Sequence, residues 1–418
     1  MKESQMKFKT KKEVPQDESS LGISFLIQAN FLEKLTSGVY NYLPLGFRVL
    51  KKIEKIVREE MEAIGGEEIL MASLHPKKNW EATGRWNSFD ALFKVHSRFD
   101  QWYALGPTHE EIVTPLAKNF IFSYKDLPLY LFQIQTKFRD EPRPKAGLLR
   151  TKEFIMKDLY SFHRTEEDLD AYYELVKEAY NRIFQKCGLL ALIAEASGGT
   201  FSPYSHEFQV ETKTGEDLIY HCSRCGFCQN QEIAGDIEKC PKCQSPLEKL
   251  NCSEVGNIFK LKDKYSSALG LKFIDKDGKE KNVLMGCYGI GISRLVGTIA
   301  ELNNDKNGMI WPEKTAPFSC HLLGFKTADA KKNALIKKKT DELYQKMIDA
   351  GYEVLYDDRE EVSSGEKLVD ADLLGLPCRI VVSEKTVSQD SFELKERKSG
   401  KIELIKIEAW ERAFDKTS

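Results

Sequence analysis

Apolar residues recur at helical spacing through PLGFRVLKKIEKIVREEMEAIGG. Leu50, Ile53, Ile56, Val57, Met61 and Ile64 share one face, and Gly65-Gly66 ends the run. This predicts an amphipathic helix over 45–64. EEILMASLHP reads as the next strand, closing at Pro76, and 95–105 reads as strand up to the turn Gly106-Pro107. A helix is predicted over 108–120, capped by Thr108, with Glu110 and Glu111 in its first turn. EEDLDAYYELVKEAYNRIFQKCG predicts a second amphipathic helix, 166–188. EFQVET, DLIYH, GNIFKL and LKFID read as strands, and GKEKNVLMG as a hairpin arm. In GCYGIGISRLVGTIAELNN the glycines stop at Gly291 and a helix begins. After a linker at 311–317, strand FSCHLLGF, helix 328–350, strand YEVLYDD, helix 365–374 and strand CRIVVS alternate as a small α/β domain. Residues 1–20 are polar and expected to be loosely ordered.

The segment FRDEPRPKAGLLRTKEFIMKD carries the most chemistry. Arg139 and Glu141 are two apart, the spacing that shares one face of a strand. A loop with two Pro and one Gly follows, and then Arg150, Phe154 and Asp158 recur every four residues. On a second strand these also share a face. The pair of strands would offer a nucleotide a cation for phosphate, a ring for stacking and a carboxylate for a base amino group. The same spacing of four fits one side of a helix, and the residues alone leave the two readings open.

Composition excludes little. Apolar residues make up 41% and charged residues 30% of the chain, ordinary values for a globular protein of two or three domains. The 62 basic and 64 acidic residues nearly cancel, which neither supports nor excludes RNA, since a local basic patch suffices. Without a signal-peptide pattern or an apolar run of about 18 residues, a cytoplasmic protein is expected. Cysteine usage is more telling. Five of ten Cys fall between 222 and 243. Cys222-x2-Cys225 and Cys240-x2-Cys243, 14 residues apart, resemble a zinc ribbon with four thiolates around one structural Zn²⁺. Cys228 offers another register, and a degenerate knuckle without metal is the bland alternative.

FRDE, the loop and R-x3-F-x3-D resemble motif 2 of the class II aminoacyl-tRNA synthetases. LGPTHEE at 105–111, SHEF at 205–208, EVGNIF at 254–259, MGCYGIGISR at 285–294, YDDR at 356–359 and GxK…DADLLGLP at 365–377 resemble the bacterial prolyl branch, in family order. The helix, strand and Pro of 45–76 resemble motif 1, which lies at the dimer interface in that family. The resemblance implies an α+β catalytic domain with an antiparallel sheet over 1–312. A Cys-rich insert would interrupt it at 220–250, and a C-terminal α/β anticodon-binding domain would occupy 317–418. It implies ATP with Mg²⁺, L-proline and tRNA(Pro) as ligands and substrates, and a homodimer formed through the catalytic domain.

Residue by residue, the resemblance assigns Arg139 to the α-phosphate and the proline carboxylate, and Arg294 to the γ-phosphate; these are the catalytic candidates. Glu141 takes the adenine amino group, Phe154 stacks on adenine, Arg150 reaches the distal phosphates, and Glu254 contacts Mg²⁺ or ribose. Glycines 286, 289 and 291 would let backbone and ATP approach closely. Thr108, Glu110, Arg139 and His206 form the proline site, although His206 on its own reads as a core histidine. Arg143 and Lys145 in the loop, and Asp358, Arg359 and Lys367 in the C-terminal domain, are the tRNA candidates. The chain departs from the family in two places. Asn257 stands where the family usually has His. Only 128 positions separate Asp158 from Gly286, too few for the large domain that edits alanyl-tRNA in many bacterial members, so editing in cis is not expected. Two rival readings share these residues: a paralogue that does not charge tRNA, and a zinc-ribbon RNA-binding protein with an inactive site. Amino-acid-dependent pyrophosphate exchange separates them.

Overall fold

The computed structural model describes residues 1–11, 13, 20–144 and 147–414. Its packing divides into two units. One holds Leu35–Tyr40 and Ile53–Thr298; the other holds Met1–Lys34, Asn41–Lys52 and Ile299–Ser418. The division falls at Thr298, short of the 311–317 segment. No helix among the described residues is long and apolar enough to cross a membrane.

The predicted helix at 45–64 is α1 (Pro44–Ala63), with Leu50, Ile53, Val57 and Met61 fully buried. The strand predicted behind it shrinks to two pieces, Glu67–Glu68 and Leu74–Pro76, and 95–105 is a hairpin of Lys94–His96 and Trp102–Leu105. Helix α2 (Glu110–Ala117) starts later than predicted. His109 occupies its cap position, and the Thr108 hydroxyl donates to the Glu110 carboxylate (2.7 Å) instead of capping the backbone.

The centre of this unit is a nine-stranded sheet. β1 (Leu129–Phe138) and β2 (Glu153–His163) form the antiparallel pair expected around the Pro-containing loop, which decides against the helical reading. Helix α3 (Glu166–Lys186) is capped by Thr165, whose side chain accepts from the Asp168 N–H. Its buried stripe of Leu169, Tyr173, Val176, Tyr180 and Phe184 covers one sheet face. Then come β3 (Leu192–Ser197), β4 (Tyr204–Glu211), β5 (Asp217–His221), β6 (Cys228–Asn230), β7 (Glu248–Lys262) and β8 (Leu284–Gly291), and α4 (Ile292–Leu302). The order is β4-β3-β6-β5-β7-β8-β2-β1 with Glu67–Glu68 at the edge. β7 is long enough, at 15 residues, to pair with β5 by its first part and with β4 and β8 by its second. Because β4 also pairs with β7, the strands from β4 to β7 close on themselves.

In the other unit, β9 (Cys320–Gly324), α5 (Ala330–Asp349), β10 (Val354–Asp357), α6 (Ser364–Leu374) and β11 (Cys378–Val382) follow the predicted alternation. Two strands not predicted, β12 (Ser391–Glu396) and β13 (Ile402–Lys406), complete a sheet of order β10-β9-β11-β12-β13. The expectation of a loose N-terminus fails for its first residues. The Met1 ammonium donates to the Val354 carbonyl (2.8 Å), and Glu3 is buried against His321 (2.6 Å) and Arg359 (3.0 Å).

Candidate active site

Strand pairing fixes which side chains meet. Across β2, β8, β7 and β4, Asp158, Gly289, Asn257 and Glu207 lie in one row, and Leu159, Tyr288, Ile258 and His206 in the next. Side chains in adjacent rows point to opposite faces. The second row faces α3: the His206 Nδ1 is 2.7 Å from the Tyr173 hydroxyl. The first row faces the site. His206 is therefore not in the amino-acid pocket, and its neighbour Glu207 is on the site face. Strict alternation along SHEFQVE was the available signal, but it needs one strand's orientation to be known first.

Arg139 and Glu141 lie just beyond the end of β1. The Glu141 N–H donates to the Arg139 carbonyl (2.8 Å), so a tight turn, not strand alternation, sets the two side chains together. They meet Arg150, Phe154, Glu254 and Arg294 around one cavity of about 520 Å³. All six nucleotide candidates thus converge, from four separate stretches of chain. An adjoining cavity of about 670 Å³ runs from the same arginines to Glu216 and Asp217.

The arginines are placed for an anion. The Arg139 guanidinium sits 5.1 Å from the Phe154 ring centre, and its buried Nε has no partner among the described residues. Burial and the neighbouring Arg294 lower its pKa, while Glu254, Glu141 and Glu110 raise it. Arg294 donates to the Glu254 carbonyl (2.6 Å) and lies 3.3 Å from its carboxylate. Asn257 donates to the other Glu254 oxygen (2.6 Å); an amide at this position therefore still orients the carboxylate. Arg150 bridges Glu141 (2.8 Å) and Glu216 (3.2 Å). At Gly289 a Cβ would stand 2.4 Å from the Met156 methyl and 2.9 Å from the Asn257 amide oxygen, so a larger residue there would displace both side chains. Gly286 does not serve the cavity. A Cβ there would meet the Tyr288 hydroxyl at 2.2 Å, so its role is packing behind the sheet.

Beside this cavity lies a buried carboxylate. Glu110 is fully buried and accepts from Thr108 (2.7 Å) and from the Cys287 thiol (3.0 Å). Arg85 is 3.4 Å from Glu110 and 2.9 Å from Glu111. Burial pushes the Glu111 carboxyl up to about 7 against the pull of Arg85. Asp158 is a structural anion, held by Lys137 (2.8 Å) and Gln133 (2.9 Å); Lys137 in turn donates to His109 (2.7 Å). Cys287 and Arg85 were not singled out from sequence, because both lie far along the chain from Glu110. Glu207 is another such residue. Burial, Glu254 and Asp217 push its carboxyl up to about 8, and Gln209 donates to both Glu207 and Asp217 (2.8 Å each).

The ribbon cysteines also come together. Cys222 and Cys243 sulfurs are 3.5 Å apart, Cys225 and Cys240 sulfurs 3.4 Å, and all four lie within 4.8 Å of one another. A tetrahedron of sulfurs around zinc has edges of roughly 3.8 Å, so the set fits. Cys228 is elsewhere, buried in β6 against Ala194, Ile219 and Cys252.

The tRNA candidates fare unevenly. Arg143 is exposed, and Lys145 lies outside the described residues. Arg359 is buried and engaged by Asp357 (2.6 Å), Asp370 (2.9 Å) and Glu3 (3.0 Å). Lys367 is buried and donates to the Asp357 and Gly324 carbonyls. Asp358 accepts from Ser4 (2.7 Å). Arg359 and Lys367 are thus held by carboxylates and carbonyls of their own domain, and with Asp358 they line a cavity of about 830 Å³ there. Asp357 and Asp370, from separate stretches of chain, satisfy the buried guanidinium, as a buried charge requires.

Residues 93–303 match the model of the tRNA synthetase class II core domain (G, H, P, S and T), and 327–417 match the anticodon binding domain. A proline--tRNA ligase of Persephonella marina is 35% identical over the whole of both chains, and one of a Geobacter species is 33% identical over 97% of each. Among solved structures, the Giardia lamblia prolyl-tRNA synthetase in complex with prolyl-adenylate superposes with a TM-score of 0.78 at 20% identity, covering 92% of this chain and 74% of the other. The Cryptosporidium parvum prolyl-tRNA synthetase with L-proline and AMP gives 0.77 at 18%, covering 94% and 74%. These two likenesses concern the fold. The alignment with the Persephonella protein spans 568 positions against 418 residues here, so that relative carries at least 150 residues this chain lacks. With identity of this order running from end to end, the chain belongs to the proline--tRNA ligase family of class II tRNA synthetases.

Proposed function

We propose that this chain activates L-proline with ATP and transfers it from prolyl-adenylate to the 3′ end of tRNA(Pro), using the cavity between Arg139 and Arg294. The observation that carries the reading is the meeting of Arg139, Glu141, Arg150, Phe154, Glu254 and Arg294 at one cavity, next to a buried carboxylate, in a chain of this family. In activation a proline carboxylate oxygen attacks the α-phosphorus, the bond to the β-bridging oxygen breaks, and pyrophosphate leaves. No protein nucleophile is needed. Catalysis is alignment of the attack and stabilisation of charge on the phosphates.

Arg139, with its free buried Nε, suits the α-phosphate, where charge builds. Arg294 and Arg150 suit the departing pyrophosphate. Phe154 offers its face to the base and Glu141 an acceptor to the base amino group. Glu110 is a fixed anion for the secondary ammonium of proline, kept in place by the Thr108 and Cys287 donors. Glu254, oriented by Asn257 and Arg294, would hold Mg²⁺, which when bound supplies further neutralisation of the phosphates. The four ribbon thiolates would hold a structural Zn²⁺. Leu70 and Leu74, exposed on the segment after α1, suit an apolar self-contact, consistent with a homodimer, and a cytoplasmic location goes with this activity. Editing of alanyl-tRNA in cis is not part of the function. The described chain between Asp158 and Gly286 is taken up by strands of the central sheet, α3, the ribbon, and a short helix and hairpin over 264–282.

The test is ATP–pyrophosphate exchange on purified protein with each amino acid in turn. Exchange driven by proline well above all others is expected. No proline-dependent exchange in folded, zinc-replete protein would overturn the reading and favour a chain that binds RNA without activating an amino acid.

A further inference from the structure

The ribbon is the part of the catalytic unit that the active site leaves without a task. Its two knuckles have the same form, Cys222-Ser-Arg224-Cys225 and Cys240-Pro-Lys242-Cys243. Each therefore carries a cation at the same place, just before its second cysteine. Arg224 and Lys242 are exposed, and so is Lys239. Arg224 reaches across to the other knuckle, its Nη1 3.5 Å from the Ser245 hydroxyl. Lys242 reaches back, its ammonium 5.8 Å from the ring centre of Phe227. The two cations thus flank the junction of the knuckles.

No carboxylate of the described residues pairs with these three. The acids of the ribbon are engaged elsewhere: Glu232 accepts from the Ser197 N–H (2.7 Å), Asp236 from Gln231 (3.0 Å), and Glu248 lies 3.3 Å from His221. Glu238 alone remains as an exposed acid beside them. A small loop closed by four cysteines holds its cations at fixed spacing. Fixed unpaired cations suit a regular row of phosphates, which they bind by releasing counterions.

Position in the fold indicates which phosphates. β5 begins at Asp217, in the wall of the cavity that adjoins Arg139 and Arg294, and ends at His221, directly before Cys222. At about 3.3 Å per residue the first knuckle lies about 17 Å along the strand from that wall. An RNA whose 3′ end enters the cavity has its next few nucleotides within that distance. We propose that the ribbon is a phosphate clamp for the acceptor end of the tRNA substrate, with Arg224, Lys239 and Lys242 on the RNA backbone. This rests on the tRNA-charging function proposed above.

The test compares full-length protein with its R224Q/K239Q/K242Q variant in binding a tRNA(Pro) transcript across a salt series. The variant should bind about tenfold or more weakly at low salt, and the slope of log affinity against log salt should fall by about two to three. Proline-dependent pyrophosphate exchange and zinc content should stay at wild-type levels. Unchanged affinity and slope would overturn the clamp and leave the ribbon a structural element or a site for another partner. If the triple variant loses zinc, R224Q and K242Q are measured singly. Each should lower the slope by about one, and no change in either overturns the proposal. Absence of pyrophosphate exchange in the wild type would instead strike the active-site reading, and the salt slopes would still judge the ribbon.

Discussion

Arg139 and Arg294 face the same cavity, and each lowers the cost of charge that builds on phosphate in the transition state. Replacing either with Ala is expected to cost about 3 kcal/mol or more in activation. Pyrophosphate exchange should fall by two orders of magnitude or more while the fold, read by circular dichroism, persists; a variant within tenfold of wild type would remove that arginine from the catalytic set. Glu207 gives a pH prediction. Its carboxyl is raised from 4.5 to about 8 by burial and by its acidic neighbours, so between those values the folded state holds a proton that the unfolded state has released. Stability from this group is present below about pH 4.5 and is lost as pH rises towards 8. Glu207→Gln should flatten the fall of Tm over that window and raise Tm at pH 8; parallel Tm–pH curves for the two proteins would refute the assignment. His206, on the opposite face, should behave as a packing residue. His206→Ala should cost about 1 kcal/mol of stability through the lost Tyr173 bond, with the KM for proline in exchange assays unchanged; a selective rise in that KM would return His206 to the pocket.

At the scale of elements, the ribbon depends on two turns that bring four thiols together between β5 and β7. A structural metal couples its binding to folding of the loop that holds it. Purified protein should carry one zinc per chain, and Cys240→Ser should release it and expose the ribbon to proteolysis, whereas Cys228→Ser should retain it, because that sulfur lies in a separate cluster within β6. Metal analysis finding no zinc in protein prepared without chelators would leave a vestigial ribbon. The spacing of the cysteines made this element legible in the sequence, since two knuckles at that separation have few other uses. The register of β4 was not legible in the same way. SHEFQVE alternates whichever face is turned inward, and only pairing with β7 and contact with α3 decide between His206 and Glu207.

For the whole molecule, the consequence of its short length is chemical. Alanine is smaller than proline, and a rigid apolar pocket rejects a smaller substrate by only about 1–3 kcal/mol. Some alanine should therefore be activated and transferred. Lacking about 150 residues that its Persephonella relative carries, the chain is expected to leave preformed alanyl-tRNA(Pro) at close to its spontaneous decay rate. Enzyme-dependent deacylation well above that rate, persisting after removal of the ribbon, would show an editing function elsewhere in the chain.

The sequence by itself determined the elements and the ligand chemistry. Periodicity located α1 and α3, and the order of short motifs carried the family, while the strand reading after the Pro-containing loop waited for the observed pairing of β1 with β2. The six residues of the nucleotide cavity were legible through the resemblance of their short motifs to a known family, since Glu254, midway along β7, and Arg294 have no local pattern that marks them. Tertiary structure decided what depends on long-range pairing. It set which face of β4 meets the site, turned Arg359 and Lys367 inward against Asp357 and Asp370, tied Glu3 into the C-terminal sheet, and brought Cys287 to Glu110 across 177 positions. Such contacts join side chains whose separations along the chain carry no period. Strand register and burial fix them, and those are properties of the packed sheet as a whole.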